Sequence, residues 1–253
     1  MLEGLPLITD PWFYAVAIPA VLMTGLSKSG FASGFGSLAT PMIALTVPVP
    51  QAAAIMMPLL LAMDATNLQQ QWRHRDRALL RLLLPWGLVG TGVGWLLFGL
   101  LSAPAVAGIT GALTLAFLAQ RLLFPPRVDS APIPHWIGRG CAVASGVTSF
   151  VAHAGNPPIA AYVLPLRLAP AVFSGTMAVY FSALNASKWV PYAALGLIDL
   201  RNMATALVLL PLAPAGVWLG VWLTRHVSNT WFYRLAYTGM LLTGLKLLWD
   251  GLR

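Results

Sequence analysis

Charge is the scarcest property of this chain. Only 9% of its 253 residues are charged, whereas 58% are hydrophobic. A soluble domain carries roughly 25% charged residues, so no soluble fold of this length could keep its surface wet. Cysteine is nearly absent as well. The lone Cys141 excludes an internal disulfide and a cysteine metal site. His74, His135 and His226 fall in predicted loops, which leaves no histidine cluster for a metal. HExxH, GxSxG and Walker sequences are all missing, and no pair of acidic residues is poised on one element. Neither an enzyme nor a cofactor is expected. The first residues carry Glu3 and Asp10 but no Lys or Arg, so the basic region of a secretory signal is missing and the first segment is expected to be retained.

What the chain does have is apolar length. Its mean hydropathy is +0.76, and the runs 82–101, 103–123, 203–224 and 231–249 approach or exceed the ~20 residues that cross a hydrocarbon core. About ten such segments fit into the chain, with no room for a separate soluble domain. The expected fold is an all-α integral membrane protein lodged in the lipid bilayer. A net charge of +8 invites a nucleic-acid reading. The basic residues, however, sit in short loops between spans, where positive-inside placement explains them better.

Two segments are interrupted. Apolar residues 11–26 run into GLSKSGFASGFG at 25–36 and a second apolar piece at 37–47. In the second half, 137–149 is followed by FVAHAGNPP at 150–158 and the piece 159–166. Both read as helix pairs joined by a turn rich in Gly, Ser and Pro. Such turns are tolerated at membrane depth only where protein or a water-filled cavity satisfies the backbone.

The halves repeat. Pro85, Gly90 and Gly94 recur as Pro211, Gly216 and Gly220 after a shift of 126, and Asn67 recurs as Asn185 after a shift of 118. The expected division is a repeat over 1–124, a cytoplasmic linker at 125–136 and a second repeat over 137–253. Loop charge then orients the repeats. Arg73, Arg75, Arg77 and Arg81 place the loop 72–81 inside, and the basic linker lies inside too. The equivalent loop 196–201 carries one Asp and one Arg and is predicted outside, whereas the counterpart of the uncharged turn 101–104 holds Arg225 and His226 and belongs inside. Equivalent loops on opposite sides define an inverted-topology repeat, the architecture of many secondary transporters. Both termini come out extracytoplasmic.

An anion site within a membrane needs positive potential without a large desolvation penalty, and helix N-termini supply it. The two turns are the candidates for such a site. The first offers Ser27, Lys28, Ser29, Gly30, Ser33, Gly34 and Gly36; the second offers His153, Gly155, Asn156 and Pro157. The same small residues also suit tight helix packing. An ionisable group at that depth suggests function, and Lys28, at the turn itself, reads as a substrate attractor. Lys188 reads as a side chain reaching outward to the headgroups. His153 has the chemistry to carry a proton near neutral pH. Asp64 is either a coupling carboxylate or an inner-interface residue. Asn67 and Asn185 suit substrate contact and helix–helix hydrogen bonding equally well.

At these residues the chain resembles the TauE/SafE family of membrane transporters, also described as sulfite exporters. The resemblance covers nearly the whole chain. It is carried by 25–36 through Pro41, by AHAGNPP at 152–158 through YVLP at 162–165, and by VFSGT at 172–176 together with Asn185. It implies transport, often export, of sulfite or organosulfonates from cells that metabolise sulfonated compounds. Members more often carry Gly where this chain has Asn156. A multi-pass protein of the bacterial inner membrane type is therefore expected, with a small sulfur-containing anion as substrate, a proton gradient or membrane potential as drive, and a homo-oligomer as an open option. A passive anion channel or an uptake carrier on the same scaffold is the alternative.

Overall fold

The computed structural model describes residues 7–28, 35–123, 134–166, 168–223 and 229–252. Every regular element among them is helical. The first helix is α1 (Pro11–Lys28); from residue 35 come a single 3-10 turn, Phe35–Leu38, and the short α2 (Ala39–Ile43). Next come α3 (Val49–Gln71), α4 (Arg77–Leu100) and α5 (Ala103–Leu123). Beyond the linker lie α6 (His135–Ala152), α7 (Asn156–Val163) and α8 (Pro170–Ser187). The chain ends in α9 (Trp189–Ala194), α10 (Leu200–Leu209), α11 (Leu212–Leu223) and α12 (Asn229–Gly251).

Local chemistry sets many of these boundaries. The Asp76 carboxylate accepts from the backbone N–H groups of Ala78 and Leu79 and starts α4. Asp199 does the same for α10 through the Asn202 N–H. Capping of this kind satisfies donors that a first helical turn leaves open. Prolines sit in the first turns of α3, α7 and α8, where the missing N–H costs nothing. The second helix break is tighter than the sequence suggests: α6 runs through Phe150 to Ala152, and only His153–Gly155 separates it from α7.

By length and composition, three stretches among the described residues qualify to cross a membrane: Val49–Gln69, Arg77–Leu100 and Leu200–Leu219. The outer face of α4 shows why. Val89, Leu96, Leu97 and Leu100 are all exposed, a contiguous apolar stripe that a membrane-embedded helix turns towards lipid.

Three apolar clusters hold the helices together. The first joins Phe13, Ala17 and Val21 of α1, Ile43 of α2 and Ile55, Leu59 and Met63 of α3 to Ala206 and Leu209 of α10 and Ala213 of α11. Another joins Ala142 of α6, Ile159 and Tyr162 of α7 and Tyr180 and Leu184 of α8 to Leu79, Leu80 and Leu83 of α4. Between them, Ala53 and Met57 of α3, Phe98 of α4, Phe150 of α6, Tyr192 of α9 and Leu247 of α12 form a central cluster. Phe150 stands edge-on to both Phe98 and Tyr192, with ring centroids 5.6 and 5.1 Å away.

Glycine brings the long helices close. A methyl group at Gly25 of α1 would lie 2.6 Å from the Gly216 carbonyl carbon of α11. One at Gly90 of α4 would collide with the Val143 carbonyl of α6, and one at Gly146 with the Gly87 carbonyl. Backbones approach this closely only where side chains are absent, the usual device of helix pairs in membranes.

Candidate functional site

One polar chain runs from α1 to the end of α6. Lys28, the last described residue of α1, pairs its ammonium group with Asp64 Oδ1 on α3. The Lys28 carbonyl accepts from the side-chain amide of Asn67 at 3.2 Å. Asp64 is 2% exposed. Its other oxygen accepts from the Asn185 amide of α8 at 2.6 Å. Asn185 Oδ1 accepts in turn from Lys188 Nζ at 2.9 Å. Lys188 also reaches the Ser149 carbonyl at 2.7 Å, the Ser149 hydroxyl at 2.8 Å and His153 Nδ1 at 3.1 Å. The far ring nitrogen of His153 lies 3.0 Å from the Ala53 carbonyl of α3. A carbonyl cannot donate, so Nε2 carries the hydrogen and Nδ1 faces Lys188.

His153 is held in place by its backbone. It has φ +52°, the left-handed region, and no other non-glycine residue among those described has a positive φ. Its N–H bonds the Ser149 carbonyl at 3.1 Å, and the next N–H, of Ala154, bonds the Thr148 carbonyl at 3.2 Å. The conformation ends α6 and turns the chain into α7 within three residues. A non-glycine residue in this region costs of order 1–3 kcal/mol, and such residues concentrate at functional positions. The Ser145 hydroxyl supports the turn by donating to the Gly155 carbonyl at 2.6 Å.

Several sequence-based expectations change here. Lys188 does not reach outward: it is 0% exposed, because the helix breaks between Ser187 and Trp189 and the side chain folds back onto the end of α6. There its charge complements the negative end of the helix dipole. Lys28, read from the sequence as a substrate attractor, is paired with Asp64. Asp64 is enclosed at the meeting of α1, α3 and α8, not placed at an interface with water. Asn67 and Asn185 each bridge two helices, but to Lys28 and Asp64 respectively and not to each other. The chain of contacts engages the carbonyls Lys28 O and Ser149 O, while Asn156 and Pro157 stand at the N-terminus of α7.

Of the remaining candidates, Gly36 returns against α1, where a methyl group on it would sit 3.3 Å from the Ser27 hydroxyl. Ser29, Gly30, Ser33 and Gly34 lie outside the described residues. A cavity of about 160 Å³ opens beside the second turn, walled by Thr110 and Thr114 of α5, Thr148 and Ala152 of α6, and Pro157 and Pro158 of α7.

A chain whose described elements are all helical, with apolar outer faces and with Asp64 and Lys188 buried inside, is a membrane protein of the kind that handles charged solutes. The chain belongs to the sulfite exporter TauE/SafE family, whose pattern matches residues 17–247. Membership makes it a membrane transporter of sulfur-containing anions and not an enzyme. No curated protein and no solved structure matches the chain.

Proposed function

We propose that the protein is a secondary transporter that exports sulfite or an organosulfonate, with the anion bound where the two helix breaks meet. One observation carries this reading: a continuous hydrogen-bonded path, Lys28–Asp64–Asn185–Lys188–His153, buried at its three middle members, links α1 to the end of α6. Ionisable groups sealed inside a membrane protein are costly and mark substrate or proton pathways. The substrate contacts are assigned to the turns themselves, Ser27 to Gly36 and His153 to Pro157, with His153 and Asp64 as separate proton-coupling candidates.

Two inverted repeats, 1–124 and 137–253, fit the packing. If α1, α2 and α3 correspond to α6, α7 and α8, and α4 to α10 with α11, the two outer cores have the same composition with one element exchanged. The first set is completed by α10 and α11, the second by α4. Gly216 and Gly90, equivalent by sequence, make equivalent contacts with Gly25 and with the Val143–Gly146 stretch. The loop charges support inversion, with both termini extracytoplasmic.

Reconstitution tests the function. Vesicles containing the protein should accumulate or release sulfite with saturable kinetics and show counterflow, and an imposed proton gradient or potential should change the rate. Flux that rises linearly with concentration and shows no counterflow identifies a channel instead. Cysteine labelling of the amino terminus from the cytoplasmic side alone would refute the topology.

A further inference from the structure

We infer that Lys188 and His153 hold a single proton between them, and that this proton carries the uncompensated charge of the site, so that a sulfonate-class anion and the proton are bound together. The inference rests on the transporter reading and names the charge that its substrate neutralises.

Hydrogen-bond direction carries the first half of the argument. The Ser149 carbonyl can only accept, so one N–H of Lys188 points to it. Asn185 turns its NH2 towards the Asp64 carboxylate, which leaves its oxygen facing Lys188 and demands a second N–H. The Ala53 carbonyl demands the hydrogen on His153 Nε2. The Ser149 hydroxyl, 2.8 Å from Nζ, accepts alongside its own carbonyl, which leaves the 3.1 Å gap between Lys188 Nζ and His153 Nδ1. One hydrogen fits there, on either nitrogen. Two would set N–H against N–H, and none would set lone pair against lone pair. The pair therefore carries one positive charge wherever its proton sits.

Charge counting carries the second half. Among the described residues, the charged and titratable groups that face the pair from its neighbours are Asp64 on α3, Lys28 on α1 and Tyr192 on α9. Lys28 and Asp64 are paired with each other. Tyr192 is a neutral phenol whose hydroxyl donates to the Phe150 carbonyl at 2.7 Å, its ring centroid 6.2 Å from that of His153. The sum over the cluster is one positive charge. A buried cation without a counter-charge is strongly disfavoured. Either an anion arrives or the proton departs. The half-buried His153, at the turn beside Gly155 and Asn156, is the side from which an anion can approach; the sealed Lys188 supplies charge from behind.

Methanesulfonate tests this, because it stays monoanionic across the working pH range whereas sulfite itself titrates. Purified full-length protein in detergent is titrated with methanesulfonate between pH 6 and 9. The expected affinity is constant at low pH and falls tenfold per pH unit once the shared proton leaves. Lys188→Met should weaken binding at least tenfold at every pH. His153→Gln should still bind but lose affinity at a different pH, since Gln can accept from Lys188 but cannot share its proton. Wild-type affinity that ignores pH overturns the inference even if Lys188→Met fails to fold, and so does a folded Lys188→Met variant that binds like wild type. Protein that binds as expected yet passes no sulfite in vesicles removes the transport reading and leaves the anion site standing. Transport by a Lys188→Met variant with unchanged binding removes this inference alone. Wild-type protein that binds no methanesulfonate at any pH overturns the inference, with sulfite flux in vesicles deciding the transport reading separately.

Discussion

Asn185 donates its side-chain amide to Asp64 Oδ2 at 2.6 Å, across the contact between α8 and α3. This bond joins the two ends of the polar chain: Lys28 lies on one side of it, Lys188 and His153 on the other. Replacing Asn185 with Leu removes a donor from Asp64 and an acceptor from Lys188 at once. Each buried polar group left unsatisfied costs about 1–3 kcal/mol. The expected result is a lower thermal midpoint in detergent together with loss of sulfite flux. Asn185→Leu protein that matches wild type in both would show that the link is incidental.

Asp64→Asn should be the most damaging single change in the chain of contacts. It leaves the buried Lys188 and the partly buried Lys28 with no carboxylate between them, and breaking a fully buried pair costs about 3–5 kcal/mol, an upper bound here. Adding Lys28→Met to Asp64→Asn removes one stranded charge and should recover part of the thermal midpoint. Lys28→Met alone should cost less than Asp64→Asn, because Lys188 remains to balance Asp64 through Asn185. A double variant no more stable than Asp64→Asn would refute the pairing. At the other extreme, Lys246→Met should be nearly silent. Lys246 pairs with Asp250 on an exposed face of α12, and exposed pairs of this kind contribute about 1 kcal/mol or less.

Gly90→Ala should separate α4 from α6, since the added methyl would run into the Val143 carbonyl. The expected outcome is a strong loss of folded protein, read by size-exclusion chromatography of detergent extracts. Gly92→Ala, two residues away, meets nothing within 4 Å and should be neutral. Equal behaviour of the two variants would mean that the close approach is not what holds the helices.

The breaks were legible because small residues and prolines have few uses in an apolar run. GLSKSGFASGFG and AHAGNPP can hardly continue a helix; α6 does end at Ala152, whereas residues 29–34 of the first stretch lie outside the described residues. The carboxylate and amides of α3 and α8 were legible as polar positions, but not their partners. Asn67 and Asn185 sit at matching places in the sequence, yet one meets a backbone carbonyl and the other a carboxylate. Lys188 was misread for a physical reason. A lysine near the end of an apolar helix normally extends along its axis to the interface. Here Pro191 follows within three residues, the helix restarts as α9 at Trp189, and the side chain turns sideways into the bundle. Pro191 was the signal, and it bears on chain direction more than on charge. The left-handed backbone of His153 had no signature beyond the small residues after it.

The mixed composition of the outer cores bears on the order in which the protein can be built. Phe13, Ile55 and Leu59 emerge early from the ribosome, but Ala206, Leu209 and Ala213, which complete their cluster, follow roughly 150 residues later. Until then α1 to α3 cannot close their packing, and at ~5–20 residues per second of synthesis the wait lasts on the order of ten seconds. The α6 to α8 cluster faces no such delay, because Leu79, Leu80 and Leu83 of α4 are already waiting for it. The later-made half can therefore settle first and serve as the template on which the earlier-made helices finally dock.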